Sequence, residues 1–333
     1  MTKTITRSGK LVVKTLEEMG LEANQVEDRQ IWVAEVKQDE HEGRDLFLLT
    51  IAEDEDVIQV FASITRAEKE DHRSEVIEFI SLYNRTHGRH THLEYDFNHN
   101  TYRVAGQVMF SETAKSLSIP MVRGMILRCM SGLDEVRDVL RAVESGELRP
   151  VDALDSLSTA SDDADSGEED NSRPGLSVEG MRLGSVLQQW LSEKEWEDPI
   201  DVDADRNRAM AKIDVTIGEV ELKGVIETWE DVQWCKCFVY LPDPKIPVKR
   251  LDEVKKYIAE VNSLPLIGCL QLLESERTVR YYGSFDVEDA TFEPAHINNL
   301  FGAGMGKMEH CFPQLMAICF GGKSADEVLN SND

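Results

Sequence analysis

Histidine is most concentrated between residues 87 and 99, at His87, His90, His92 and His99. Imidazole nitrogens are common ligands of zinc and other transition metals. If residues 90–92 are extended, His90 and His92 point to the same side and could share a metal ion with His87 or His99. No cysteine lies nearby, and the second half of the chain has no equivalent run. We therefore favour a polar loop that leads into a strand.

Three aspartates at alternate positions, Asp201, Asp203 and Asp205, match the first acidic positions of a calcium-binding loop. Such a loop needs a glycine where Arg206 stands and a bidentate glutamate where Lys212 stands. The segment therefore fails as a calcium site where it needs its sharp turn and its strongest ligand. We interpret it as a polar turn before a strand.

Two cysteines alternate on a predicted strand, where Cys235 and Cys237 share a face with Val239 and Leu241. A redox or zinc site would need a Cys-x-x-Cys spacing and a second pair of ligands, and the sequence has neither. We predict buried thiols in a hydrophobic core.

The glycine-rich segment from Gly302 to Lys307 invites comparison with a phosphate-binding loop. The Walker pattern requires a glycine at the position of Phe301 and a hydroxyl at the position of Met308. An amphipathic run rather than a buried strand precedes the segment. We predict a flexible break between two helices.

Composition narrows the class of protein. The 333 residues fit two domains, and the formal net charge of -27 argues against binding to nucleic acid or anionic membranes. No apolar run approaches the roughly 20 residues that span a bilayer. Six scattered cysteines do not resemble a secreted disulfide framework. We expect a cytoplasmic protein that has basic partners or is adapted to high salt.

Hydrophobic periodicity predicts an α+β protein with two tandem domains, 1–149 and 177–333, joined by a disordered acidic linker at 150–176. Each domain is predicted to have the order αβββαββα, with helices packed on one face of an antiparallel sheet. The linker prediction rests on residues 151–172, which are acidic, rich in serine and alanine, and carry no apolar residue larger than alanine after Leu157. In the first domain we also predict a break at Gly132 between two helices.

Identical residues at matching positions of the two halves indicate an internal duplication. In the middle helix, Glu75, Val76, Phe79, Ile80 and Asn84 match Glu253, Val254, Tyr257, Ile258 and Asn262. In the last strand, Thr101, Arg103 and Gly106 match Thr278, Arg280 and Gly283. Near the ends, Asp134-Glu135-Val136 matches Asp326-Glu327-Val328. The shared order and spacing make chance a poor explanation of the set.

The predicted element order, the amphipathic middle helix that ends in Asn84 or Asn262, and the strand pair that follows resemble the YbjN family. Members of that family are labelled bacterial sensory transduction regulators, and their fold is similar to type III secretion chaperones. The resemblance covers both halves without the linker, and the second half departs from it by extra length around residues 302–306. It implies a noncatalytic binding module. Type III secretion chaperones hold extended client segments as homodimers, and a tandem chain could supply both subunits.

A methionine stripe offers one candidate surface for a partner, formed by Met109, Met121, Met125 and Met130 in the last strand and helix of the first domain. Core packing is the preferred alternative. We expect a noncatalytic protein-binding regulator or chaperone-like adaptor with no cofactor, a protein client, and room for pairing between its own domains. The competing hypothesis is a small-molecule- or metal-binding sensor or enzyme that uses the histidine run or the cleft between the domains.

Overall fold

Two antiparallel sheets organise the chain, one in each half. The structure is a computed structural model that describes residues 6–26, 30–36, 47–54, 57–64, 72–86, 91–96, 101–109, 117–161, 178–217, 220–241, 243–263, 267–287 and 291–330. The chain divides into two units, Met1–Ser166 and Gly167–Asp333. The predicted α+β class with two tandem domains is therefore confirmed.

The first unit has six strands in the spatial order β1-β2-β3-β4-β6-β5. In chain order its elements are α1 (Arg7–Glu18), β1 (Asn24–Gln25), β2 (Ile31–Val36), β3 (Phe47–Asp54), β4 (Val57–Ile64), α2 (Arg73–Thr86), β5 (Thr91–Asp96), β6 (Thr101–Met109), α3 (Ile119–Glu144) and α4 (Pro150–Ser161). The Thr6 hydroxyl accepts a hydrogen bond from the Gly9 amide at 3.0 Å and so caps α1. Gly20 follows the helix with a φ of +73°, as a helix-ending glycine should.

The second unit repeats this order with strands β7-β8-β9-β10-β12-β11. Its elements are α5 (Arg182–Glu193), β7 (Ile200–Asp203), β8 (Arg208–Ile217), β9 (Val220–Trp229), β10 (Trp234–Tyr240), α6 (Leu251–Ser263), β11 (Cys269–Leu273), β12 (Thr278–Asp286), α7 (Pro294–Cys319) and α8 (Ala325–Leu329). Short 3-10 turns, Val178–Gly180 and Val248–Arg250, precede α5 and α6. Within the described part of the chain, no helix has the combination of length and apolarity needed to cross a membrane.

The amphipathic stripes predicted for the two middle helices are buried. In α2 the buried apolar residues are Val76, Phe79, Ile80 and Tyr83. In α6 they are Val254, Tyr257, Ile258 and Val261. Because the two stripes occupy the same place in their units, the register predicted for the duplication is confirmed along this helix.

Each unit also holds more than the predicted order αβββαββα. A short strand, β1 or β7, precedes the three predicted strands and pairs at the edge of its sheet. Moreover, α3 runs without interruption through Gly132, so the predicted helix break there is wrong. A Cβ atom at Gly132 would lie 3.3 Å from Val104 and 3.4 Å from Thr91, so this glycine lets the helix approach the sheet closely.

The predicted start of the linker at residue 150 is also wrong. Residues Pro150–Ser161 form α4, whose Ala153 and Leu157 join the core of the first unit. The spacing of these two residues is one helical turn, and a proline at the first helical position favours this start. The first domain therefore extends beyond residue 149. The remainder of the predicted linker, 162–176, lies outside the described residues.

Two further predictions near the chain's end need correction. The segment from Gly302 to Lys307 is part of the continuous helix α7 and not a flexible break. A Cβ atom at Gly304 would lie 2.6 Å from the Tyr281 ring, so close packing on β12 requires a glycine there. The match of Asp134 with Asp326 also fails, because the first lies in α3 and the second in α8, elements that do not correspond.

Candidate functional site

Each sheet packs one face against helices, and we call its opposite face the far face. The far faces of the two sheets carry different kinds of side chain. Strand alternation and the register of β4, β6 and β5 assign the far-face residues of the first sheet: Gln59, Phe61, Ser63, His92, Glu94, Asp96, Arg103, Ala105 and Gln107. The corresponding residues of the second sheet are Lys236, Phe238, Tyr240, Cys269, Gln271, Leu273, Arg280, Tyr282 and Ser284.

Arg103 organises the far face of the first sheet. Its Nε donates to Glu94 Oε2 at 2.7 Å, and its Nη1 donates to Asp96 Oδ2 at 3.1 Å. Its guanidinium lies 4.3 Å from the centroid of the Phe61 ring, within cation–π range. His92 extends the array, because its Nε2 lies 2.6 Å from Glu94 Oε1. One arginine thus joins three neighbouring strands through charge and ring contacts.

Arg280 occupies the matching place in the second sheet. Its Nε donates to Gln271 Oε1 at 2.8 Å, and its Nη1 donates to the Tyr240 hydroxyl at 3.1 Å. Its guanidinium lies 4.7 Å from the centroid of the Phe238 ring. The arginine, the phenylalanine beneath it and the acceptor on the edge strand are therefore repeated, while the carboxylate of Glu94 is replaced by the amide of Gln271.

Burial makes the carboxylate of Glu94 the electrostatic centre of the first far face. Its side chain is 2% exposed, compared with 14% for Arg103. Burial alone raises the pKa of Glu94, but the His92 imidazole and the Arg103 guanidinium outweigh that effect and lower the pKa below its ordinary value of 4.5. A carboxylate held in this way is committed to its neighbours, and so it is poorly placed to act as a general acid.

The far face of the second sheet is aromatic where the first is charged. The ring centroids of Phe238 and Tyr282 lie 5.3 Å apart, and these two rings form a separate buried cluster with Cys269. Lys236 Nζ lies 3.7 Å from the ring centroid of Trp234 on β10 and 4.8 Å from that of Trp229 on the neighbouring strand β9. The two halves therefore present the same arginine–phenylalanine frame with different surroundings.

Of the four candidate metal-binding histidines, only His92 falls within the described residues. His87, His90 and His99 lie outside them. His92 contacts Glu94, which in turn is held by Arg103. Across the described residues, no group of three or more histidine, cysteine, aspartate or glutamate side chains is arranged to hold a metal ion.

The residues of the methionine stripe differ in how deeply they are buried. Met125 is 2% exposed and lies directly over Gly106, where an added Cβ would meet its sulfur at 2.3 Å. It packs in the core, which is the preferred prediction for the stripe, and it has almost no surface to offer a partner. Met121 and Met130 are partly buried against the same core. The backbone of Met109 lies in β6, and its side chain is outside the description.

The remaining candidate motifs serve structure. Asp203 Oδ1 accepts from the Arg206 amide at 3.2 Å, and Asp203 Oδ2 accepts from Arg208 at 3.2 Å, across the turn between β7 and β8. Asp205 lies in the turn before β8, as predicted, but Asp201 and Asp203 lie in β7, so the prediction of a turn is wrong for these two residues. Cys235 and Cys237 are fully buried, and burial raises the pKa of both thiols far above the ordinary value, as expected of core cysteines.

Arg103, Arg280, Asn84 and Asn262 are among the residues that the two halves share, and the sequence alone predicts no functional role for them. The sequence feature that could have identified them is their identity between the two halves, at positions whose neighbouring residues differ. In the structure all four make polar contacts on or beside an edge strand. Comparison with protein-family models, curated proteins and solved structures gave no match.

Proposed function

We propose that the chain is a noncatalytic protein-binding regulator or chaperone-like adaptor that acts through the partly exposed residues on the far faces of its two sheets, among them Arg103, Lys236, Tyr240 and Arg280. The observation that carries the proposal is the repeated arginine–phenylalanine frame, Arg103 on Phe61 and Arg280 on Phe238, with changed residues around it. Two copies of one frame with different linings are suited to recognising two different segments of protein. The resemblance to the YbjN family supports the same class of function.

The chemistry of the lining favours recognition over catalysis. The first frame holds its buried carboxylate in an ion pair, and the second presents the partly buried Tyr240 ring beside its buried aromatic cluster, a side chain that gives contact area at low entropic cost. The net charge of -27 favours a partner that carries basic residues, because opposite charge speeds the encounter of two proteins. The partner class we propose is therefore a basic, extended protein segment.

The test is affinity capture with three forms of the intact chain. Tyr240→Ser replaces a partly buried ring of the second far face with the residue that stands at the matching position of the first, Ser63. Val232→Ser alters an exposed side chain in the turn between β9 and β10 and serves as the control. We expect basic proteins to be captured by the wild type and the control and to be reduced with Tyr240→Ser.

The outcome that contradicts the proposal is capture no greater than that of an unrelated protein of equal charge. Elemental analysis and thermal melting of the same preparations test the competing class, a metal- or small-molecule-dependent activity. A stoichiometric metal ion, or a rise in melting temperature with nucleotides or divalent ions, would favour that class. The proposal instead expects substoichiometric metal and an unchanged melting temperature.

A further inference from the structure

The last strand of each sheet, β5 or β11, carries the same side-chain contact on its backbone. Asn84 Nδ2 donates to the Leu93 carbonyl at 2.7 Å, and the Leu93 amide donates to Asn84 Oδ1 at 2.7 Å. Asn262 Nδ2 donates to the Leu270 carbonyl at 2.9 Å, and the Leu270 amide donates to Asn262 Oδ1 at 2.8 Å. One carboxamide thus bonds both polar groups of one strand residue in each half.

The direction of these bonds follows from the pairing of the strands. In an antiparallel strand, the N–H and C=O of one residue point to the same side, and successive residues alternate. Leu93 stands opposite Val104 of β6, yet both of its backbone groups bond to Asn84. Its N–H and C=O therefore point away from β6, and Asn84 occupies the outer edge of β5. The same argument places Asn262 at the outer edge of β11, since Leu270 stands opposite Tyr281.

A carboxamide offers a donor and an acceptor side by side, as a residue of a neighbouring strand does. Among the described strands, β5 and β11 end their sheets, and such edges are templates for pairing with another chain. We propose that Asn84 and Asn262 are edge caps, which occupy the strand-pairing groups of Leu93 and Leu270 and so prevent a second copy of this chain from adding to the sheet. This role is independent of the far-face function.

Duplication supports a specific role for the asparagines. Both lie in the last turn of the helix beside the edge strand, at matched positions of α2 and α6. The edge strands themselves differ, since His92 and Glu94 of β5 correspond to Cys269 and Gln271 of β11. The asparagine and its two backbone bonds persist although the side chains of the strands they contact have changed.

The test uses the full chain with Asn262→Ala, which leaves the Leu270 amide and carbonyl without their partner. Amide exchange followed by NMR should quicken about tenfold at Leu270, which is the scale of one lost hydrogen bond. Gln271 is the internal control, because its amide faces β12 and should keep its rate. Sedimentation should also show more self-association than the wild type at equal concentration.

A matched destabilised variant separates edge pairing from partial unfolding. Val261→Ala removes buried methyl groups next to Asn262 but keeps the cap. At conditions that give both variants the same unfolded fraction, Asn262→Ala should associate more. Equal association of the two variants would overturn the proposal, and so would equal quickening of exchange at Leu270 and Gln271.

A second substitution covers the case in which Asn262→Ala does not fold. Asn262→Asp keeps an acceptor for the Leu270 amide and loses the donor to its carbonyl. We expect slow exchange at Leu270 in that variant together with self-association above that of Val261→Ala. Fast exchange at Leu270 with no added association would refute the edge cap in this variant as well.

Discussion

Three glycines in α7 give a comparison in which only one substitution should cause a clash. An added Cβ at Gly302 or Gly306 meets nothing within 4 Å, whereas at Gly304 it would lie 2.6 Å from Tyr281 and 2.9 Å from Val239. Replacing a glycine by alanine within a helix stabilises it by about 0.5–1 kcal/mol. All three variants share that gain, and only Gly304→Ala adds overpacking, which costs about 1–3 kcal/mol. Gly304→Ala should therefore be less stable than either control by about 1–3 kcal/mol.

Urea unfolding followed by tryptophan fluorescence measures this difference, because four of the five tryptophans, Trp190, Trp196, Trp229 and Trp234, lie in the second domain. The cause can be checked in a double variant. At the position of Tyr281, the first domain carries Val104, so Tyr281→Val removes the obstructing ring while keeping a residue that the fold accepts. In that background Gly304→Ala should lose the larger part of its penalty, because only the contact with Val239 at 2.9 Å remains. Equal stability of the three single variants would refute the close approach of α7 to β12.

Two further predictions concern titration and thiol reactivity. Because the pKa of Glu94 is lowered on folding, its ion pair stabilises the wild type above about pH 4.5, and that stability is lost as the pH falls further. Glu94→Gln copies the residue at the matching position, Gln271, and cannot ionise. Between about pH 7 and about pH 4, its stability against urea should therefore fall less than that of the wild type. An equal loss in both proteins would contradict the assigned pairing. All six cysteines are buried, so Ellman's reagent should label the native chain slowly and all six thiols after unfolding. Rapid labelling of the folded chain would show that a thiol is accessible.

Hydrophobic periodicity correctly predicted the helices and strands whose apolar residues repeat at regular spacing. The helical stripes from Val76 to Tyr83 and from Val254 to Val261 are the buried faces of α2 and α6, and Cys235 and Cys237 are buried on their strand, as predicted. These elements bury one face against a large apolar surface. Their hydrophobic pattern therefore carries most of the information about their structure.

The predicted helix breaks at glycines and the predicted start of the linker at residue 150 were wrong for physical reasons. A glycine such as Gly132 or Gly304 weakens a helix in isolation, but it also permits a close approach to the sheet, and only the packed structure reveals which effect wins. Likewise, Ala153 and Leu157 are too few to outweigh an acidic composition by pattern alone. In the fold they find a hydrophobic surface that α2 and α3 already provide.

The contacts on the far faces could not be predicted from hydrophobic periodicity. Strand alternation predicts which side chains point away from the core, but it does not predict which of them contact each other. Arg103 reaches Glu94 and Asp96 on a strand that pairs beside it, and that register depends on the whole hairpin. The internal repeat supplies the missing constraint. A residue that is kept between the halves while its neighbours change, as Arg280 is kept beside Gln271, is held by a contact that both sheets need. By the same reasoning, the differences between the halves that surround a kept residue are where the proposed function places the recognition of different partners.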